Sequence, residues 1–446
     1  MQLKKIYAKI NNKHFFSLAG NGIMSVFSIV TIAVLYRALS ISEIGIWVFF
    51  QSTLLLVDTF RSGFLTTAFI KFYAGTDKRR AAEVAGSAWY IASVITGSLF
   101  LLNIPAFLFF REVNNAGLSL FFEWFGITYI STLPMYLAIC VVQAELRFDR
   151  LFLVRLINQG LFILFIILLI ILQRVNLQYV IYANLAAGLI TSAFTVMTGW
   201  SMIHTFKSKT KKAIRELYHF GKFSVGTNIS ANLFRTTDTF IINFMLGPAA
   251  LAIYNLGQRL MEVVEIPIRS FGATAMPSLS VAYNQNSKDE VIYIMKKYTG
   301  MLTVALVPVA VASVLLADVA VLIIGGEKYV HTEAANVLRL FMTFGLLYPA
   351  DRYLALTLDV ANQPRINFIK VLVMLAANVI FDFLGIYIFG NIYGVALATV
   401  VPILIGVSVG YWALQKFRPF RFFSIYTLGF HECRLLTAQY LRKKKV

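Results

Sequence analysis

The chain has 446 residues, 59% of them hydrophobic and only 14% charged, with a mean hydropathy of +0.73. A water-soluble domain carries about 25% charged residues, so the composition excludes an ordinary soluble protein. Forty Lys and Arg against 21 Asp and Glu give a formal charge of +19, but this charge follows the spacing of the apolar runs and forms no single surface, so no nucleic acid partner is expected.

A hydrocarbon core about 30 Å thick requires roughly 20 apolar residues per helix. On that length the sequence predicts twelve spans. The first six cover 15–38, 43–70, 84–110, 117–142, 151–173 and 177–204. The second six cover 219–246, 250–282, 297–317, 333–358, 366–389 and 392–414. Unbroken apolar runs such as Leu161 to Leu172 differ from the alternating ten-residue segments of a β-barrel. Met1–His14 is basic, but the span behind it is too long for a signal-peptide core and lacks a small-residue cleavage site, so no cleaved leader is expected. Cys140 and Cys433 provide neither a disulfide framework nor a metal site, and no cofactor is expected.

The basic residues alternate with the joints. With the N-terminus inside, the inner joints and the tail hold 29 of the 40 Lys and Arg, including Lys207, Lys209, Lys211, Lys212 and Arg215 at the longest joint and Arg365 and Lys370 at the last. The outer joints hold four, Arg37, Arg111, Arg174 and Lys328; seven fall within spans. Retention of Lys and Arg on the cytoplasmic side accounts for this split and puts both termini there.

The longest inner joint divides the chain into an N-terminal six-helix lobe (1–204), a basic cytoplasmic linker (205–218), a C-terminal six-helix lobe (219–414) and a basic cytoplasmic or interfacial tail (415–446). The halves match at a constant offset of 207: Ser17 with Ser224, Asn21 with Asn228, Phe27 with Phe234, Leu39 with Leu246, and Asp58 with Glu265. Halves with an even number of spans enter from the same side, so their symmetry axis runs along the membrane normal, a geometry of secondary transporters. The expected fold is an all-α polytopic membrane protein with twelve transmembrane helices in two pseudo-symmetric six-helix lobes around a central cleft.

Polar stripes mark the paired helices. The seventh span carries Asn228, Asn232, Arg235, Thr239 and Asn243 within roughly 80° of arc, with Asp238 beside them. The first span carries Ser17, Asn21, Ser25, Ser28 and Thr31. Lipid satisfies no such stripe, so it faces protein or water. Interhelical hydrogen bonding is one account; the Arg and three Asn of the seventh span favour a wet cavity. The eighth span places Arg259, Glu262, Glu265 and Arg269 within about 120°, at pairing distance along a helix and with Pro267 expected to kink it. The second span repeats the theme with Asp58 and Arg61. A charge at mid-bilayer costs about 2.5–3.5 kcal/mol on insertion scales. Structural ion pairs reduce that cost but do not explain why both halves carry them on the same helix of the repeat.

The expected substrate-binding residues are therefore Arg61, Asn228, Asn232, Arg235, Arg259 and Arg269, and the ion-coupling candidates are Asp58, Asp238, Glu262 and Glu265. Asp382 is read either as a proton or ion site or as a buried acceptor. Lys222 is read as snorkelling, and Arg339, Asp351 and Arg352 either as snorkelling or capping residues or as substrate contacts. Guanidinium forks suit phosphate oxygens, so a cavity rich in Arg and Asn suits an anionic, hydroxyl-rich cargo such as a diphosphate joined to sugars.

The opening Phe16-Ser17-Leu18-Ala19-Gly20-Asn21-Gly22, the joint Leu39-Ser40-Ile41-Ser42-Glu43-Ile44-Gly45-Ile46-Trp47 and its counterpart Leu246-Gly247-Pro248 through Ile253-Tyr254-Asn255 resemble the multidrug/oligosaccharidyl-lipid/polysaccharide superfamily, in particular its bacterial O-antigen and polysaccharide flippases. The resemblance implies movement of an undecaprenyl-diphosphate-linked oligosaccharide from the inner to the outer leaflet of the bacterial cytoplasmic (inner) membrane, by alternating access. It implies a lipid-linked oligosaccharide as substrate and membrane lipids and polysaccharide-assembly proteins as partners. Under it, Arg61, Arg259 and Arg269 correspond to cationic cavity residues.

Two other readings stay open at this point. A cation-coupled drug or metabolite antiporter shares the fold, and the carboxylates near the Arg residues suit it. An enzyme acting on the same lipid-linked sugars is not expected, because the longest outer joint is only 318–332 and contains no Asp-x-Asp pair or Ser/His/Asp grouping. The tail, with Phe417, Phe420, Phe422, Phe423 and Tyr426 among basic residues, reads as an interfacial segment on the anionic inner leaflet.

Overall fold

The computed structural model describes residues 13–110, 113 and 115–443, and the side chains of 23–109, 113 and 115–435 except 223, 227, 231, 263, 273 and 274. Ser17, Asn21, Arg111 and the basic residues before Lys13 lie outside the described side chains.

Every regular element among the described residues is helical. The first nine are α1 (Lys13–Ala38), α2 (Ile41–Tyr73), α3 (Lys78–Phe110), α4 (Ala116–Ala144), α5 (Phe148–Ile171), α6 (Leu177–Met197), α7 (Lys211–Met245), α8 (Pro248–Asn284) and α9 (Lys288–Leu315). Shorter pieces follow: α10 (Ala317–Gly325), α11 (Glu327–Val330), α12 (Ala334–Gly345) and α13 (Tyr348–Val360). The chain ends with α14 (Pro364–Phe389), α15 (Ile392–Ala398), α16 (Val400–Phe417) and α17 (Ser424–Lys443).

Local chemistry sets these boundaries. Ser40 and Glu43 close a capping box at the start of α2, with Glu43 accepting from the Ser40 N–H at 2.9 Å. Asn115, Asn176 and Ser287 cap α4, α6 and α9 with their side-chain oxygens. Gly247, at φ +87°, turns the chain into Pro248 at the first position of α8. α8 then continues without a break through Pro267 and Pro277.

Among the described residues, eight spans are long and apolar enough to cross a membrane: α2 to α6, α9, α14, and α15 with α16. The rest of the twelve are different in kind. α7 and α8 carry the polar stripes, and α1 offers a shorter apolar stretch, Ile23–Ala38, among the residues whose side chains are described. The tenth span is not one helix as its sequence suggests: it breaks at Leu346–Leu347 into α12 and α13, and Pro349 opens the second piece. The twelfth is interrupted only at Thr399, which keeps right-handed helical dihedrals, so α15 and α16 run on as one span.

The chain forms two compact units, divided between Thr236 and Thr237, inside α7. In the first, Leu65, Phe69, Val84, Ala88, Trp89, Leu137 and Cys140 pack in one core cluster. The joint that composition reads as a basic linker packs within this unit. Residues Ile203–Ser208 form a 3-10 turn. Gly86 of α3 lies so close to the Thr205 carbonyl that a Cβ there would approach to 2.1 Å. The Trp89 indole donates to the Ser201 carbonyl at 2.7 Å. Lys211 and the residues after it already belong to α7, which Glu216 ties to Arg80 of α3.

In the second unit, α14 and α15 meet at Gly385 and Gly394, where a Cβ on either would come within 2.4 Å of the other's carbonyl oxygen. The backbone itself is the obstacle, so Gly385→Ala is expected to destabilise by about 1–3 kcal/mol, measured as a lower thermal midpoint. Lys370 corrects the charge count of the last inner joint. It is fully buried and pairs with Asp351 of α13 at 2.7 Å. Gly406 of α16 leaves room for that carboxylate. Arg339 likewise has a specific partner, Asp318 at 2.6 Å.

The tail forms a docked helix. Gly429 of α17 meets Gly300 of α9 with backbones in contact. One turn on, Glu432 accepts from Lys297 at 2.6 Å and from the Tyr293 hydroxyl at 2.7 Å. Cys433, the next residue, lies against the Met301 carbonyl at 3.8 Å, so the contact centres on Gly300. The Lys297 ammonium and the Tyr293 hydroxyl hold the Glu432 carboxyl below its ordinary range. Because the folded value is depressed, this stabilisation is complete above the ordinary Glu pKa and is lost as pH falls through the folded one. Docking of α17 is therefore expected to weaken in acid, and proteolysis of the tail as a function of pH tests this.

Candidate functional site

Three groups of polar side chains interrupt the apolar helices. The first lies wholly in the N-terminal unit. Arg61 of α2, only 4% exposed, pairs with Asp58 at 2.6 Å and donates to the Tyr129 carbonyl at 3.1 Å. Its guanidinium lies 4.6 Å from the centre of the Tyr136 ring and 5.4 Å from that of Tyr129. The Tyr129 hydroxyl donates to the Leu54 carbonyl at 2.7 Å, and the Tyr136 hydroxyl to that of Arg61 at 3.2 Å. These contacts hold one wall of a cavity of about 350 Å³, to which Gln51, Asn158 and Asn184 also contribute. The α7 stripe begins beside it: Asn232 donates to Thr59 at 3.0 Å, and the Cβ of Asn228 lies against Gly63.

The second group is buried in the C-terminal unit. Asn378 of α14 donates to Asp238 of α7 at 2.7 Å and to Asp382, one turn along its own helix, at 3.0 Å. The Tyr254 hydroxyl donates to the other oxygen of Asp238 at 2.5 Å. Oδ1 of Asp382 is buried without a hydrogen-bond partner. Two carboxylates on one amide, shielded from water, repel when both are ionised. Chemically, the group is suited to take up a proton or a small cation.

The third group is the charged face of α8. Arg259 pairs with Glu262 at 2.7 Å and Arg269 with Glu265 at 3.1 Å. Unlike Asp58 and Arg61, all four are substantially exposed. Arg235 of α7 is exposed too. Asp238, three residues further on, has both oxygens engaged by Asn378 and Tyr254.

A family model described as "Polysaccharide biosynthesis protein" matches residues 17–334. The chain belongs to this family. As a family member it is 21% identical over 395 residues to the probable low-salt glycan biosynthesis flippase Agl15 of Haloferax volcanii, with 86% of this chain and 79% of the relative covered. Its fold is similar to that of the lipid II flippase MurJ in an inward closed conformation (TM-score 0.73, 15% identity, covering 96% of this chain and 92% of that one). It is also similar to an inward-facing multidrug resistance MATE family transporter of the MOP superfamily (TM-score 0.72, 14% identity, 88% and 95% covered). This polysaccharide biosynthesis protein is thus an all-α, multi-pass membrane protein with the two-lobe, twelve-helix MOP fold.

Among the expected site residues of this family member, the structure joins Asp58 to Arg61, Arg259 to Glu262 and Glu265 to Arg269. It separates Asp238 from Arg235 and gives it to the acid group instead. Sequence reasoning missed Asn378 and Tyr254, and also Gln51, Asn158 and Asn184. For Asn378 a signal exists: it precedes Asp382 by four residues, so both occupy one face of an otherwise apolar span. Tyr254 carries no comparable signal, because Tyr is common in membrane helices.

Proposed function

We propose that this protein is a flippase that moves an undecaprenyl-diphosphate-linked oligosaccharide, a repeat unit of O-antigen or a related polysaccharide, from the inner to the outer leaflet of the cytoplasmic membrane by alternating access. Both termini are then cytoplasmic, in keeping with the distribution of Lys and Arg. The observation that carries the reading is the exposed guanidinium of Arg235 on α7. Among the described residues it has no carboxylate partner, since Glu262 and Glu265 pair with Arg259 and Arg269 and the oxygens of Asp238 accept from Asn378 and Tyr254, and it shares its helix face with Asn228 and Asn232. Such a face suits a diphosphate and sugar hydroxyls. The relative's printed function, glycan biosynthesis flippase, supports the same class of cargo.

A charge-assisted hydrogen bond contributes about 1.5–3 kcal/mol. Arg235→Ala is therefore expected to slow export of the surface polysaccharide roughly 10- to 100-fold, and Arg269→Ala to slow it as well, at unchanged protein level. If both variants leave surface polysaccharide at the wild-type amount, the cationic-face reading fails.

The acid group of Asp238, Asn378 and Asp382 supports coupling to a proton or a monovalent cation. It also favours one specific alternative, a cation-coupled antiporter of the same fold. Efflux of a cationic dye on expression, with no change in polysaccharide, would select that alternative.

A further inference from the structure

We propose that the outer face of α17 is a docking surface for the anionic lipid headgroups on the side of the membrane that carries the basic joints. The helix has two distinct faces. At 100° per residue, Ile425, Gly429 and Glu432 share the face turned to α9, and all three are buried. Thr427, Phe430 and Arg434 fall within roughly 60° of arc on the opposite face, and all three are exposed, as is Phe423 in the turn just before the helix. Two large aromatic rings, Phe423 at 78% and Phe430 at 63% exposure, are thus held in the open beside Arg434, with Arg421 and Leu435 flanking them.

The docking on α9 determines what can cover this face. The backbone contact of Gly300 with Gly429 and the Lys297–Glu432 ion pair leave the helix no freedom to roll its aromatic rings inward. They also set its level. Gly300 lies one turn beyond Lys296 and Lys297, the last basic residues of α9, so the part of α17 in contact with it is placed at the membrane–water boundary. Trp412, 58% exposed with the Lys416 ammonium 3.7 Å from its ring centre, continues the same combination on α16. Aromatic rings seat at the headgroup level, and Arg and Lys beside them favour a negatively charged lipid surface. Charge and shape therefore select anionic phospholipid as the occupant.

The test uses the intact wild-type protein in lipid nanodiscs, either zwitterionic or containing anionic phospholipid. Limited trypsin cleavage after Arg421 and Arg434 is timed by mass spectrometry. Cleavage is expected to slow in the anionic discs by roughly five-fold for each basic residue that reaches the headgroups, and high salt is expected to abolish the difference. A second measurement places a fluorescent thiol probe at position 430 in a C140A/C433A background and compares iodide quenching in the two discs. Weaker quenching in anionic discs supports the surface; R421Q/R434Q should remove the difference while leaving the Glu432 contacts intact. Equal cleavage and equal quenching in both discs overturn the proposal, whether the helix is equally protected or equally open.

Discussion

Asp382→Asn is expected to abolish coupled transport while raising the thermal midpoint of the protein at alkaline pH in cation-free buffer. The two effects have one cause. Asp238 and Asp382 are held by the same Asn378 amide. With both ionised on that one amide, at an effective dielectric of about 20, they oppose each other by a few kcal/mol. A proton or cation relieves that repulsion, and Asn at 382 relieves it permanently. The variant should therefore lose any cation-induced rise in thermal midpoint, and proteoliposome transport should no longer respond to an imposed cation gradient. Asn378→Leu is the complementary variant. It removes the bridging donor but keeps both acids, so the protein should be destabilised and its dependence on added cation should increase. Gradient-driven transport by Asp382→Asn at the wild-type rate would remove the coupling role.

Arg61→Met and Arg259→Met are expected to separate sharply in stability, although the sequence presents them as repeats of one motif. Arg61 is buried among Tyr129, Tyr136 and Asp58. Its loss leaves the Asp58 carboxylate without its counter-charge, and breaking such a buried pair costs about 3–5 kcal/mol. The exposed quarter of the Asp58 side chain puts the effect at the low end. The double variant D58N/R61M should recover most of the stability, since it removes both charges. Arg259 and its partner Glu262 are about 40% exposed, so Arg259→Met should cost less than about 1 kcal/mol. Its effect should appear in transport. Denaturation midpoints of the three variants, measured beside polysaccharide export, decide this. Equal stability losses for Arg61→Met and Arg259→Met would contradict the assignment of one pair to the protein's scaffold and the other to its working face.

These two cases show where reading the chain succeeds and where it stops. Intrahelical partners such as Asp58 with Arg61 or Arg259 with Glu262 follow from helical spacing, because three or four residues bring two side chains to one face. The same spacing says nothing about depth. Asp58–Arg61 is enclosed because α4 lays two Tyr rings over it, 68 and 75 residues away in sequence. Arg259–Glu262 stays exposed. The tail illustrates the same limit. Its two-faced pattern of aromatic and basic residues is visible in sequence, but the attachment to α9 depends on Gly300 and Gly429 meeting, and a lone glycine in each of two helices announces nothing.

By itself, the sequence determined that the chain is a multi-pass helical membrane protein, approximately where its spans lie, and which helices carry polar faces. These properties arise from hydropathy and spacing along one helix, and bilayer thickness imposes them locally. Only the tertiary structure decided that the tenth span is broken, that Lys370 is a buried partner of Asp351, and that Asp238 joins Asn378 and Asp382 rather than Arg235. Each of these depends on which distant helix supplies the opposing group. In a membrane, where lipid offers no alternative partner, the opposing group determines whether a polar side chain serves the scaffold or the site.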